Sequence, residues 1–210
     1  VASADEPIRL WSIPFSTNVE RVRLALGHKG LAYEVVTVDP DDRAELRRVS
    51  GQDLVPVLED GGEVIHDSLR ILEHLERRHP RHSLMPAEPG RRAEVAILLE
   101  WFDRVWKGPP NEIDSELGRP EPDQERIAAL SRLLEDWLTV FDMLLTRRRY
   151  LMGPELGAAD CAVWPFLRYA LGRAPGDDER FHRVLEEHLA PGAQMPRLAA
   201  WIRRVGEHPR

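Results

Sequence analysis

Three short stretches of this chain carry side chains whose type and spacing suit chemistry at the start of a helix. The first is Ser16-Thr17-Asn18-Val19-Glu20. Thr17 and Glu20 have the spacing of a capping box, in which a hydroxyl and a carboxylate satisfy unbonded first-turn amides reciprocally. Ser16 then has two readings. It is loop filler or a second candidate cap, or else Thr17 caps the helix and leaves the Ser16 hydroxyl free beside a positively polarised terminus. A hydroxyl donor aimed at a thiolate there would favour the ionised thiol, whose free pKa is about 8.5.

The second stretch is Leu54-Val55-Pro56-Val57-Leu58. Proline lacks the amide that a central ladder needs, so Pro56 marks a strand's edge or end. A trans Pro56 is an ordinary edge proline; a cis Pro56 would turn the Val55 backbone outward to pair with a peptide-like ligand. The third stretch is His66-Asp67-Ser68. Plain N-capping by Asp67 or Ser68 accounts for it. The same geometry also suits a ligand carboxylate on the Ser68 hydroxyl and amide, with Asp67 taking a ligand ammonium.

Other candidates carry less. His66, His74, His79 and His82 cluster in sequence, but none are spaced i, i+4 as on a metal-binding helix. They read as a solvated face, and no metal is expected. The single cysteine, Cys161, lies among Ala162, Val163 and Trp164 and reads as a small core residue. Nucleophile-elbow, Walker and dinucleotide-loop patterns are missing from the sequence.

The elements that must position these residues fall into two kinds of chain. Up to residue 80 the period alternates: a strand over 8–13, a helix over 19–29 stopped by Gly30, and a β-branched strand over 33–38. A short helix is expected over 43–49. Strands over 55–58 and 63–66 flank Asp60-Gly61-Gly62, a hairpin signal, and a helix over 68–78 ends before Pro80. The order β-α-β-α-β-β-α implies a parallel first pair and an antiparallel last pair. Residues 80–90 carry three prolines and a glycine, which is linker chemistry. Beyond them the pattern is helical: Val95, Leu98, Leu99, Phe102, Val105 and Trp106 form one stripe. Ile127, Leu130, Leu134, Trp137, Val140, Phe141, Leu144 and Leu145 form a longer one, and shorter helices are expected over 158–171, 178–189 and 197–205. The expected domains are an α/β domain over 1–80, a linker over 81–90 and an all-α domain over 91–210.

Composition bounds the rest. With 42% apolar and 31% charged residues in 210, the chain can bury a core. The balance of 29 basic against 36 acidic residues is no nucleic-acid footprint. No apolar run approaches the roughly 18 residues of a membrane span. The sequence opens on no signal-like segment, and one cysteine makes no internal disulfide, so a cytoplasmic protein is expected.

Taken in order, these stretches resemble the cytosolic glutathione S-transferase family over essentially the whole chain. Pro14-Phe15-Ser16 with Arg21-Val22-Arg23-Leu24-Ala25-Leu26 and Lys29-Gly30 resembles the family's first loop and helix. Val55-Pro56-Val57-Leu58-Glu59-Asp60 resembles its cis-proline strand, and Asp67-Ser68-Leu69-Arg70-Ile71 its acidic-Ser glutathione-binding turn. Gly157-Ala158-Ala159-Asp160 resembles the capping box of its second domain, and Pro196 to Trp201 its closing helix. The resemblance implies a thioredoxin-like N-terminal domain, an all-helical C-terminal domain and a two-fold homodimer. Tyrosine is absent before position 33 and cysteine before 161, so the resemblance points to the serine-type members. It implies that Ser16 donates to the glutathione thiolate, that Val55 beside Pro56 pairs with the cysteinyl backbone, and that Asp67 and Ser68 hold the γ-glutamyl end.

Departures from the family pattern are as informative. Leu54 stands where Gln or Lys is frequent, so a polar glutathione contact is missing unless Gln52 compensates. Gly157 stands where a hydroxyl caps the helix, a change glycine tolerates. A second, apolar substrate would lie between the domains, with Ile13, Phe15, Trp101, Phe102, Trp106 and Trp164 as candidate walls. The stretch Trp106-Lys107-Gly108-Pro109-Pro110-Asn111 reads as the least regular of the helical half. The reading is a glutathione transferase acting on an apolar electrophile. The alternatives are a glutathione-dependent isomerase or dehalogenase, and a non-catalytic interaction module of the same fold.

Overall fold

Apolar Ile8, Leu10 and Trp11 lie in a strand, β1 (Ile8–Ser12), whose adjacent Leu10 and Trp11 point to opposite faces and are both buried. It lies inside a four-stranded sheet of order β2-β1-β3-β4, where β2 is Tyr33–Thr37, β3 is Val57–Asp60 and β4 is Glu63–His66. β1 pairs parallel with β2 and antiparallel with β3, and β3 pairs antiparallel with β4. In this computed structural model, which describes residues 7–210, helix α1 (Thr17–Lys29) follows β1. α2 (Ala44–Ser50) follows β2, and α3 (Ser68–Arg78) follows β4.

The expected element order is found, with boundaries shifted by one or two residues. The third strand was expected over 55–58 but runs Val57–Asp60. Pro56 has no amide to give the ladder, so pairing begins after it and extends to the turn. That turn is the pair Gly61 and Gly62, at φ 58° and 84°, between the paired residues Asp60 and Glu63. Both central residues of such a two-residue hairpin need positive φ, which glycine adopts without penalty.

The second unit is helical: α4 (Pro89–Trp101), α5 (Gly108–Leu117), α6 (Gln124–Leu144), α7 (Ala158–Leu167), α8 (Arg180–Leu189) and α9 (Pro196–Gly206). Residues Phe102–Trp106 continue α4 as one wide π turn. The stretch expected to be irregular is therefore helical, a π turn running into α5. Pro109 and Pro110 fit because they sit in α5's first turn, where backbone amides have no intrahelical acceptor. In α7 every residue is buried, Cys161 included.

By contacts the described residues divide into a first unit that ends at Met85 and takes in 208–210, and a second over 86–207. The last three residues thus belong with the first unit rather than with the helical one. Arg210 pairs there with Glu20, and Pro209 lies against Gly27. A division drawn linearly along the sequence misses such a return.

Candidate functional site

The sheet register brings the three chemistry-bearing stretches to one end. Trp11 pairs with Val57, and Val57 pairs with His66. The C-terminal end of β1, the N-terminal end of β3 and the C-terminal end of β4 therefore lie side by side. Adjacent strands are about 5 Å apart, so these ends span roughly 10 Å. Ser16 follows the first, Val55-Pro56 precedes the second, and Asp67-Ser68 follows the third.

At the first stretch the helix starts one residue earlier than the capping box implies. Ser16 is the N-cap, extended at φ −60° and ψ 116°, and its Oγ accepts from the Val19 amide at 3.3 Å. Thr17 is the first helical residue and Glu20 pairs with Arg210, so the expected Thr17–Glu20 box is not formed. Both Ser16 and Thr17 are competent caps, and the choice shifts the helix by only one residue. Capping uses a lone pair of the Ser16 hydroxyl and leaves its proton available to donate, beside a terminus with partial positive charge. Phe15 precedes it with φ 59° and is 40% exposed.

At the second stretch the Val55–Pro56 bond is cis, the alternative that the sequence left open. Val55 packs on the cluster Trp11, Val38, Leu46 and Val57. Gln52, expected to replace a missing polar contact, closes on its own loop. Its amide oxygen accepts from the Leu54 amide at 2.8 Å, and its Nε2 donates to the Leu54 carbonyl. Asp53 is similarly engaged, with Arg47 at 2.7 Å on its carboxylate and Arg43 on its carbonyl. Leu54 itself is 69% exposed.

At the third stretch Asp67 is the N-cap of α3, at φ 72°, and its Oδ1 accepts from the amides of Leu69 at 2.9 Å and Arg70 at 3.2 Å. Ser68 is the first residue of the helix and is buried. Its Oγ accepts from Nη1 of Arg21 at 3.1 Å. Arg21, on α1, is 1% exposed, a buried charge that the sequence reading did not single out. Its position on the buried side of α1 was the available signal, since arginines are rarely interred without a role.

The expected apolar walls divide. Trp106 and Phe102 are fully buried and stack at 4.5 Å and 10°, with Phe166 packed edge-on against both. Trp164 is buried too, its indole N–H donating to the Ile202 carbonyl at 2.8 Å. These three are core residues of the helical unit, which corrects their assignment as pocket walls; an amphipathic stripe does not distinguish a core face from a pocket face. Trp101 is half-buried against Trp137 at 5.3 Å and Phe141 at 6.0 Å. Ile13 is half-buried on the Trp11 cluster, and of the set Phe15 is the most exposed. Among the described residues no group of three or more His, Cys, Asp or Glu is placed to hold a metal ion. Among the described residues, no helix is long and apolar enough to cross a membrane either.

Comparison with known proteins agrees with this fold. Residues 10–87 match the family model for the glutathione S-transferase N-terminal domain, and residues 124–204 the model for its C-terminal domain. The chain is 33% identical over 148 residues to a stringent starvation protein A homolog of Pasteurella multocida (strain Pm70), covering 70% of this chain and 67% of that one. It is 28% identical over 209 residues to a zeta-class glutathione S-transferase of Euphorbia esula, covering 93% and 92%. A rice glutathione S-transferase solved in complex with glutathione superposes with a TM-score of 0.75 at 24% identity, covering 98% of this chain and 93% of that one.

Proposed function

This chain belongs to the glutathione S-transferase family, and from that premise we propose that it is a serine-type glutathione transferase. In this reading the N-terminal unit binds glutathione, and the activated sulfur attacks an apolar electrophile. The observation that carries it is the hydroxyl of Ser16, which caps α1 through its oxygen and keeps its proton for an anionic acceptor. A thiolate placed there gains one charge-assisted hydrogen bond and the field of the helix terminus, both of which lower the thiol pKa. The outward face of Val55 beside the cis bond supplies backbone groups for the cysteinyl residue. Asp67 and Ser68 receive the γ-glutamyl ammonium and carboxylate. Within the N-terminal unit, Phe15 and Ile13 are the candidates for contact with the electrophile. The reading includes a two-fold homodimer in the cytoplasm.

The test is Ser16→Ala, assayed by thiol conjugation to an aryl halide. Loss of a single donor to a developing negative charge lowers turnover by about 100-fold or more, while glutathione affinity stays within roughly threefold. Unchanged turnover would sink the role of Ser16. A second reading, an interaction module without catalysis, draws on Leu54 at a usually polar position and on the likeness to a stringent starvation protein A homolog. Glutathione binding without turnover on any of several electrophiles favours that module over the transferase.

A further inference from the structure

The residue left over by this reading is Arg21. It rises from α1, one helical turn beyond Ser16, and its guanidinium is buried behind the first residue of α3. Its Nη1 lies 3.1 Å from Ser68 Oγ. A guanidinium has donors and no acceptors, whereas a hydroxyl has both. In this hydrogen bond Ser68 can therefore act only as the acceptor, and its proton must point elsewhere. Asp67 Oδ1 already takes the amides of Leu69 and Arg70, so the hydroxyl proton of Ser68 and its own amide are the groups that an incoming ligand oxygen meets.

We propose that Arg21 is a positioning residue that fixes Ser68 as a hydrogen-bond donor and thereby makes this corner select a carboxylate. The inference rests on the glutathione-binding reading of Asp67 and Ser68. It adds a cause for the selection: the donor polarity of Ser68 is imposed from behind by a cation that never touches the ligand. A ligand with a neutral carboxamide at this position forfeits the charge-assisted bond, and the buried cation behind Ser68 contributes less to an uncharged group. Burial strengthens this effect, since the charge acts through a medium less polarisable than water.

The experiment compares two ligands by calorimetric titration: glutathione, and glutathione amidated at the γ-glutamyl α-carboxylate. The wild-type chain prefers glutathione. Arg21→Gln, whose amide can accept as well as donate, weakens glutathione binding about tenfold, leaves the amidated ligand nearly unchanged, and leaves turnover at saturating glutathione within about twofold. Arg21→Lys, again a donor without an acceptor, restores most of the preference. In a double-mutant cycle Arg21→Gln adds little to Ser68→Ala, because both act through one hydroxyl. Equal weakening of both ligands, or full additivity with Ser68→Ala, overturns the proposal, since a merely structural arginine would do that. If Arg21→Gln does not fold, Ser68→Ala alone decides: a carboxylate preference that survives it overturns the proposal. A wild-type chain that binds neither ligand defeats the glutathione reading itself, and the inference with it, whereas a wild-type preference untouched by Arg21→Gln defeats the inference alone.

Discussion

Asp160 offers a test in which two physical effects of opposite sign compete. Its side chain is wholly buried at the start of α7. Oδ1 accepts from the Leu151 amide at 2.9 Å and the Trp201 indole at 2.7 Å, and Oδ2 accepts from the Gly157 amide at 3.0 Å. Asp160→Ala orphans three donors, and at about 1–3 kcal/mol each the loss is roughly 3–9 kcal/mol, a large part of a typical folding free energy. The pH dependence is more discriminating. Burial pushes the carboxyl from 3.8 up to about 6, against the pull of the three donors. An acid whose folded pKa is raised holds its proton in the native state at pH values where the unfolded chain has released it. Wild-type stability from this group therefore increases as pH falls through about 6 towards 4, by roughly 3 kcal/mol in all at about 1.4 kcal/mol per pH unit. Urea denaturation of wild type and Asp160→Ala, followed by tryptophan fluorescence at about pH 8 and about pH 5, isolates the effect, because other titrating groups cancel in the difference. The penalty of the substitution should be larger at the lower pH by about 1–2 kcal/mol. A penalty that shrinks as pH falls would mean that the three donors outweigh burial, and would refute the reasoning.

Two further outcomes follow from the N-terminal unit. The Lys29 ammonium is buried and donates to Glu76 at 2.8 Å and to the His79 carbonyl at 2.8 Å, closing the C-terminal end of α3. Lys29→Met should destabilise by about 2–4 kcal/mol in urea titrations, the lower part of the range for a broken buried pair because Glu76 keeps some water. Although burial of Glu76 works in the other direction, its bonds with Lys29, Ser83 and the Leu84 amide hold its carboxyl below the usual value of 4.5. The pair's contribution is thus present above about pH 4.5 and lost below it, so the gap between wild type and variant should close in acid. Gly27→Ala would raise the intrinsic helix propensity of α1 by about 1 kcal/mol. A Cβ there would lie 2.1 Å from the Pro209 carbonyl oxygen, so the variant should instead lose stability and expose 208–210 to proteolysis. A variant stabilised by about 1 kcal/mol, with that segment still protected, would contradict the packing.

Much of the fold was legible because local rules and tertiary packing agree. The helix expected over 68–78 is found as Ser68–Arg78, since Asp67 and Ser68 are both caps that start a helix there and the run ends before Pro80. The hairpin at Gly61 and Gly62 was equally plain, as was the stop at Gly30. Legibility failed where adjacent residues compete for one role or where burial decides. Ser16 and Thr17 are both cap-competent, and only the backbone angles separate them. Trp101, Trp106 and Trp164 look alike as sequence, yet Trp106 and Trp164 are sealed in the helical core and Trp101 is not. Arg21 was visible as a charge on the buried side of α1, but not its partner, because Ser68 lies on α3, some fifty residues further along the chain.

The solitary cysteine has a practical consequence. Cys161 lies inside α7 and is fully buried. A thiol-reactive dye added to the native protein can reach it only through an opening of that helix, so the rate of modification becomes a clock for local unfolding. Conversely, fast thiol chemistry in a mixture of this protein and its ligand reports on the ligand's sulfur, because the one cysteine of the chain is buried and slow to react.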